Sequence, residues 1–225
     1  MTSWVAVGIL GGLVGLDSTA FPQAMFSRPL VAGALAGLAF GDPVRGLLVG
    51  AALEIFALVI MPVGAARYPE AGTGAVAAAG AACLAGAHLP IQVLLLLAVV
   101  FGLAWERLAG YSVILLRREN ERLVARDTRE PPTARGVERR HLGAMSLDLL
   151  RGAAIALTGT LVGAELLRTL GPLWALDPAT ADGLLTVAAT GMLAAMLPLF
   201  GGFRDRRIVF VAGLICGSLL LLLVS

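Results

Sequence analysis

A carboxylate lies inside one of the most apolar stretches of this chain. Glu54 belongs to "GLLVGAALEIFALVIM", residues 46–61. A charged side chain at the centre of a membrane helix costs about 3 kcal/mol on insertion scales, so such a group is paired, protonated or turned toward a polar cavity. We therefore expect Glu54 to act in substrate binding or coupling, with a structural ion pair to Arg28 or Arg67 as the alternative.

The helical period around Glu54 separates small residues from bulky ones. At 3.6 residues per turn, Gly46, Gly50, Ala57 and Met61 share its face. The opposite face carries larger apolar side chains, namely Leu48, Val49, Leu53, Ile55, Phe56, Val59 and Ile60. We expect the small face to pack against protein and the bulky face to meet lipid.

The apolar pattern breaks after Met61 in "PVGAARYPEAG", where Pro and Gly end the helix. This break is either a plain loop or the tip of a re-entrant hairpin that carries backbone amides and a carboxylate toward the membrane interior. Carboxylates, amides and backbone groups both accept and donate hydrogen bonds, as an array of sugar hydroxyls requires. The candidates in and near the break are Gly64, Ala65, Tyr68 with its aromatic face, Glu70 and the amide of Gln23.

Composition places these residues in a membrane protein. The chain has 225 residues, of which 58% are hydrophobic and 14% are charged, and its mean hydropathy is +0.88. Soluble domains contain about 25% charged residues. Because a spanning helix needs about 20 apolar residues, we predict an all-α polytopic membrane protein with about six to eight membrane segments and no room for a separate soluble domain.

The apolar segments differ between the two halves of the chain. Residues 1–116 form an N-terminal membrane region with short, broken or re-entrant pieces, residues 117–144 a basic linker, and residues 145–225 further membrane helices. The predicted segments are 2–16, 30–40, 44–61, 73–87, 90–116, 145–170, 181–200 and 208–224. Broken backbone at membrane depth survives against protein or a water-filled cavity, and in transporters it builds the substrate site. Tilted or interfacial helices are the alternative.

Small residues recur at four-residue spacing, most clearly as Gly33, Gly37 and Gly41 and as Gly46 and Gly50. Such spacing lets two helix backbones approach closely in a membrane. We expect tight helix packing through these glycines.

Charge placement predicts the orientation. Residues 117–141 carry eight Arg against five acidic residues, and a second basic cluster follows at Arg204, Arg206 and Arg207. The positive-inside rule puts both in the cytoplasm and the connection at 171–182 outside. The interspersed acids and the position between spans argue against nucleic-acid binding and favour a cytoplasmic helical linker, which could also serve as a docking surface.

The run from Leu16 to Ala79 resembles enzyme IIC of the mannose/sorbose-type sugar phosphotransferase system. The matching features are "LD" after the first apolar segment, then "SRPLVAG", "GDP..GLL.GA.LE" and "P.GAA..PEA". The family usually has an acidic residue after Pro in the last motif, here Glu70. The linker ending at His141 and the following "LDLLRGA" are similar to the family's middle region, and the resemblance weakens beyond about residue 155.

This resemblance implies a sugar permease subunit in the bacterial plasma (inner) membrane. Such a subunit forms the translocation pathway for a hexose with a IID membrane partner, and relatives assemble several copies. Cytoplasmic IIA and IIB proteins carry phosphate on histidines and phosphorylate the incoming sugar. Carried over by motif, the sugar site and its gate comprise Glu54, Glu70, Asp17, Gln23 and Arg28.

The sequence lacks the common motifs for nucleotide binding, metal binding and nucleophilic catalysis. There is no P-loop, no paired Cys/His set and no Gly-x-Ser-x-Gly. We expect no catalytic residue, no metal and no cofactor, with phosphate supplied in trans, and we interpret His88 and His141 as interfacial or solvated.

Three other functions remain open from the sequence. A proton-coupled transporter would keep the fold and use Glu54 as its proton site. A scaffold or sensor subunit would bind partners without transporting. An intramembrane enzyme would use a cluster of Glu, Asp and Arg side chains, although the sequence shows no pair of nucleophile and base.

Overall fold

The protein is described by a computed structural model covering residues 2–60, 68–86, 89–125, 133–174, 176–200, 207–209, 211–213 and 215. Within these residues the elements are helical. They are α1 (Thr2–Thr19), α2 (Pro29–Phe40), α3 (Pro43–Ala57), α4 (Ala71–Ala85), α5 (Ile91–Ala125), α6 (Ala134–Leu170), α7 (Pro178–Met196) and a short 3-10 helix (Leu197–Phe200). The predicted all-α polytopic fold is confirmed. The expected span at 208–224 and the proposed re-entrant tip with Gly64 and Ala65 lie largely or wholly outside the described residues.

Helix length separates a short N-terminal group from a long C-terminal group. Helices α5, α6 and α7 are long and apolar enough to cross a membrane, whereas α2, α3 and α4 have 12, 15 and 15 residues. At 1.5 Å per residue a 15-residue helix reaches about 22 Å, short of a hydrocarbon core of about 30 Å. Helices α5 and α6 extend beyond the predicted spans 90–116 and 145–170. Each continues into residues 117–141, which are here called the Arg-rich segment.

Helices α2 and α3 form a hairpin in which glycine faces glycine. A Cβ added to Gly33 would lie 2.7 Å from Gly50 Cα, and one added to Gly37 would lie 2.8 Å from Gly46 Cα. The expected tight packing is confirmed for these four residues. Gly41 was wrongly included in the packing motif, since it ends α2 at φ 79° with nothing near its Cβ position.

Part of the bulky face of α3 is buried, contrary to the expectation that this face meets lipid. Val49, Leu53 and Phe56 are 0%, 2% and 8% exposed. Helix α3 packs through its glycines on α2 and through these side chains on α4 and α5, so two of its faces are covered. Leu48 is 42% exposed and keeps the predicted outward position.

Helix α4 lies at the centre of the bundle and contacts α1, α2, α3, α5 and α6. Its residues are almost all Ala, Gly, Thr or Val, and most are fully buried. Small side chains let several helices approach one axis closely, which explains why this weakly hydrophobic segment lies inside the protein. Its N-terminus, at Glu70, is thereby placed in the interior of the bundle.

The glycine hairpin predicts a clear difference between two Gly→Ala substitutions. In Gly46→Ala the new methyl would lie 2.4 Å from the carbonyl oxygen of Gly33, and such overpacking costs about 1–3 kcal/mol. The thermal unfolding midpoint in detergent should fall. In the control, Gly143→Ala on α6, nothing lies within 4 Å of the added methyl, so stability should be unchanged or slightly raised. Equal midpoints for both variants would contradict the packing account.

Candidate functional site

A cavity of about 520 Å³ opens where the short helices end. Its walls come from the C-terminal end of α1, the following turn, the first residues of α2, the end of α3 and the start of α4. Arg117 on α5 completes the lining. Ligand clefts typically measure about 300–1,000 Å³, so this space, here called the site cavity, is large enough for a small polar molecule.

Five of the eight predicted site residues line the site cavity: Asp17, Gln23, Arg28, Tyr68 and Glu70. Glu54 is not a lining residue but contacts one. Gly64 and Ala65 lie outside the described residues. The structure therefore brings together side chains that are up to 53 positions apart along the chain, counted from Asp17 to Glu70.

Asp17 shapes the turn between α1 and α2. Its side chain is buried, and its two oxygens accept hydrogen bonds from the backbone amides of Ala24 at 2.6 Å and Ser27 at 2.8 Å. The turn contains Gln23 at φ 58° and Met25 at φ 65°, a left-handed conformation that is uncommon for residues other than glycine. Asp17 thus holds Gln23 and Met25 at the rim of the cavity.

Glu54 forms an ion pair with Arg28, the partner that the sequence offered for a structural role. Arg28 Nε donates to Glu54 Oε1 at 2.7 Å, and the Nη2 group of the same guanidinium also contacts this oxygen. The amide of Leu30, in the first turn of α2, donates to Oε2 at 3.2 Å. The carboxylate therefore ties α3 to the start of α2 and orients the guanidinium of Arg28, which lines the cavity.

Glu70 belongs to a buried network that the sequence analysis did not predict. Arg151 on α6 donates from Nη1 to Glu70 Oε2 at 2.6 Å and from Nη2 to Oε1 at 2.8 Å. The same guanidinium bonds Asp148 Oδ1 and the hydroxyl of Ser112, each at 2.8 Å. The side chains of Glu70, Asp148 and Arg151 are 1%, 3% and 9% exposed.

Helix α1 joins the network through two hydroxyls. Ser18 donates to Glu70 Oε1 at 3.2 Å, and Thr19 donates to Asp148. Close backbone contact between Gly11 or Gly12 of α1 and α6 brings these groups together. One guanidinium thus connects four helices, α1, α4, α5 and α6, directly behind the site cavity.

The stretch "LDLLRGA" contains a signal that could have predicted the network residues Asp148 and Arg151. Asp148 and Arg151 are three positions apart on an apolar helix, so they share a face. Charged residues inside a membrane segment almost always face the bundle interior and pair with one another. The sequence does not show which distant carboxylate Arg151 meets.

Two further charged residues of α5 lie close to this region. The guanidinium carbon of Arg117 lies 5.8 Å from the centre of the Tyr68 ring, a distance suited to a cation–π contact. Glu106 is buried against α4, with Oε1 lacking a hydrogen-bond partner among the described residues and lying 3.9 Å from Arg107 Nε. Neither Arg117 nor Glu106 is among the site residues predicted from the sequence.

The arrangement suits recognition of a neutral, hydroxyl-rich molecule. The carboxylates of Asp17 and Glu70 already accept hydrogen bonds from protein donors, while Gln23, Arg28 and Tyr68 also line the cavity. Within the described residues no group of three His, Cys, Asp or Glu side chains is placed to hold a metal ion. Hydrogen bonding to a ligand is therefore the chemistry that these side chains offer.

The Arg151 network predicts a large loss of stability when one charge is removed. Arg151→Gln leaves Glu70 and Asp148 buried without their cation, and breaking a buried pair costs about 3–5 kcal/mol. The thermal midpoint in detergent should fall strongly, and Glu70→Gln combined with Arg151→Gln should recover part of the loss. Arg168→Gln is the matched control, since Arg168 is exposed on the same helix and donates to the carbonyl of Leu84 at 2.8 Å. A midpoint for Arg151→Gln as high as that of the control would disprove this role.

Comparison with known proteins places this architecture in a family. The family model described as PTS system sorbose-specific IIC component matches residues 1–198, well beyond the point near residue 155 where the resemblance was expected to weaken. The sorbose-specific EIIC component of Lacticaseibacillus casei is 36% identical over 66 residues, 29% of this chain and 24% of that protein. The mannose-specific EIIC component of Escherichia coli (strain K12) is 36% identical over 72 residues, 32% of this chain and 27% of that protein. The alignments thus span about a quarter of each curated relative.

Two solved structures share the fold. One, titled only as the structure of a membrane protein, has a TM-score of 0.64 at 21% identity and covers 98% of this chain and 94% of its own. The other, the mannose transporter ManYZ in complex with microcin E492, has a TM-score of 0.51 at 18% identity and covers 96% and 86%. Because the family model spans residues 1–198 of 225, this chain belongs to the family of PTS sorbose-specific IIC components.

Proposed function

We propose that this chain is the IIC permease subunit of a mannose/sorbose-type sugar phosphotransferase system and that it binds a hexose in the site cavity. The observation that carries the proposal is the cavity itself. It lies where the ends of α1 and α3 meet the starts of α2 and α4, and its polar lining includes Gln23, Arg28 and Tyr68. Interrupted helices of this kind form substrate sites in transporters.

Each lining group has a defined part in binding. The amide of Gln23 donates to one sugar hydroxyl and accepts from another, and Arg28, oriented by Glu54, donates to a sugar oxygen. Tyr68 offers an aromatic face for the apolar side of the ring. Asp17 and Glu70 are occupied by protein donors, so they position the site rather than supply its principal ligand contacts.

The phosphate chemistry comes from other proteins. The chain works with a IID membrane subunit, and this pairing is supported by the shared fold with one component of the two-part mannose transporter. IIA and IIB deliver the phosphoryl group, and several copies of the chain assemble together. The Arg-rich segment 117–141 faces the cytoplasm, where these phosphocarriers act, and the unit sits in the bacterial inner membrane.

A proton-coupled transporter is the second candidate, and one observation favours it. Glu106 is a buried carboxylate whose Oε1 has no hydrogen-bond partner among the described residues. A buried carboxylate oxygen with no hydrogen-bond partner among the described residues is better placed to bind and release a proton than Glu54, whose charge is held by Arg28. This mechanism would therefore depend on Glu106 and not, as the sequence suggested, on Glu54.

Measuring sugar uptake in cells distinguishes the phosphotransferase permease from the proton-coupled transporter. Cells carrying this chain with its partner genes should accumulate phosphorylated hexose. Gln23→Asn shortens the side chain while retaining a residue that tolerates positive φ. Losing one hydrogen bond of about 1.4 kcal/mol corresponds to a tenfold change, so the KM for uptake should rise up to about tenfold with little change in maximal rate.

The matched control is Phe26→Leu, an exposed side chain of the same turn that does not line the cavity. It should leave KM unchanged. Uptake of free sugar driven by a pH gradient and abolished by Glu106→Gln would replace the phosphotransferase proposal with proton coupling. No uptake of any hexose would support a scaffold subunit instead.

Cysteine labelling tests the orientation. In a background of Cys83→Ser and Cys216→Ser, Arg118→Cys should react with a membrane-impermeant maleimide only in inside-out vesicles. Leu173→Cys, exposed between α6 and α7, should react only in intact cells. The reverse pattern would place the Arg-rich segment outside and contradict the proposed topology.

A further inference from the structure

Two smaller cavities between α5 and α6 lie next to the site cavity. A second cavity of about 190 Å³ shares Thr19 and Arg117 with the site cavity. A third of about 370 Å³ shares Asn120, His141 and Ala144 with the second. Each cavity therefore borders the next, and together they form a row that is here called the α5/α6 path.

The α5/α6 path runs toward one end of the two long helices. On α5 the lining residues progress from Arg117 through Asn120 to Val124, and on α6 they progress from Asp148 through Ala144 to Val137. Val124 and Val137 lie near the ends of α5 and α6 that carry the Arg-rich segment. The row of cavities thus extends from the site cavity toward the face that the proposed topology assigns to the cytoplasm.

Polar groups line the part of the path next to the site cavity. They are Thr19, Arg117, Asn120, His141 and Asp148. The side-chain oxygen of Asn120 is buried and has no hydrogen-bond partner among the described residues. A buried acceptor without a donor costs about 1–3 kcal/mol, and a hydroxyl group passing through this space would satisfy it.

Tyr68 and Arg117 lie at the junction between the first two cavities. Arg117 lines both, and Tyr68 lines the site cavity with its ring beside the Arg117 guanidinium. Neither Arg117 nor Tyr68 donates to or accepts from the Arg151 guanidinium in the hydrogen bonds described above, so movement of these two side chains would widen the passage without removing those bonds. The junction is therefore a constriction formed by two long side chains.

We propose that the substrate leaves the site cavity along the α5/α6 path, with Arg117 and Tyr68 as the constriction and Asn120 as a transient hydrogen-bond partner. The proposal rests on the proposed sugar permease function. It assigns a transport role to the first turns of α6 and the last turns of α5, which the candidate site does not include.

A bulky side chain in the path should block release without preventing binding. Ala144→Trp fills the space shared by the second and third cavities, and Leu142→Trp is the control, exposed on the same helix and lining none of the three cavities. In cells with the partner genes, the maximal rate of phosphorylated hexose uptake should fall at least tenfold for Ala144→Trp only. The Kd for the hexose, measured on the purified complex, should stay within about twofold of wild type for both variants. Equal uptake rates for the two variants would overturn the path.

Substrate protection gives a second test that requires no large side chain. In the Cys83→Ser, Cys216→Ser background, Asn120→Cys should react with an impermeant maleimide in inside-out vesicles, and a hexose should slow this reaction at least threefold. The neighbouring, exposed Glu119→Cys should react at the same rate with and without hexose. Unprotected labelling at position 120, while the complex binds hexose, would overturn the proposal. Loss of hexose binding in the wild-type complex would instead refute the proposed function on which the path depends.

Discussion

The buried guanidinium of Arg151 is the interaction on which the rest of the site depends. It pairs with Glu70 at the start of α4 and with Asp148 on its own helix, and it contacts Ser112 of α5. Removing such a group from water is costly, and the cost is offset only when several well-placed hydrogen bonds replace the lost hydration. Because these bonds come from different helices, they can form only when the helix ends behind the site cavity are correctly arranged.

Small residues make that arrangement possible. Glycines on α1, α2, α3 and α6 and the alanines of α4 let helix backbones approach to near contact. The short helices then end inside the bundle, where the longer α5 and α6 both pack on α4. An interior cavity lined by helix ends is the consequence, and a membrane protein can keep polar groups at this depth because other protein groups satisfy them.

The sequence predicted the positions of the helices more completely than the contacts between them. Helical periodicity and punctuating Gly and Pro located α1 to α7, and the glycine spacing predicted close helix packing, which is found between α2 and α3. It did not show that Val49, Leu53 and Phe56 are buried, because one helix has two buried faces when it packs on several neighbours. The ion pair between Arg28 and Glu54 was foreseeable as a nearby opposite charge. The pair between Glu70 and Arg151 joins residues 81 positions apart, and only the fold brings them together.

A cryo-electron microscopy structure of this chain with its membrane partner and a bound hexose would test the central claim most directly. The account predicts density for the sugar in the site cavity, with hydroxyl groups at hydrogen-bond distances of about 2.7–3.2 Å from Gln23 and Arg28. The pair between Arg151 and Glu70 should remain intact behind it. A hexose bound elsewhere in the complex, with no contact to these residues, would contradict the account.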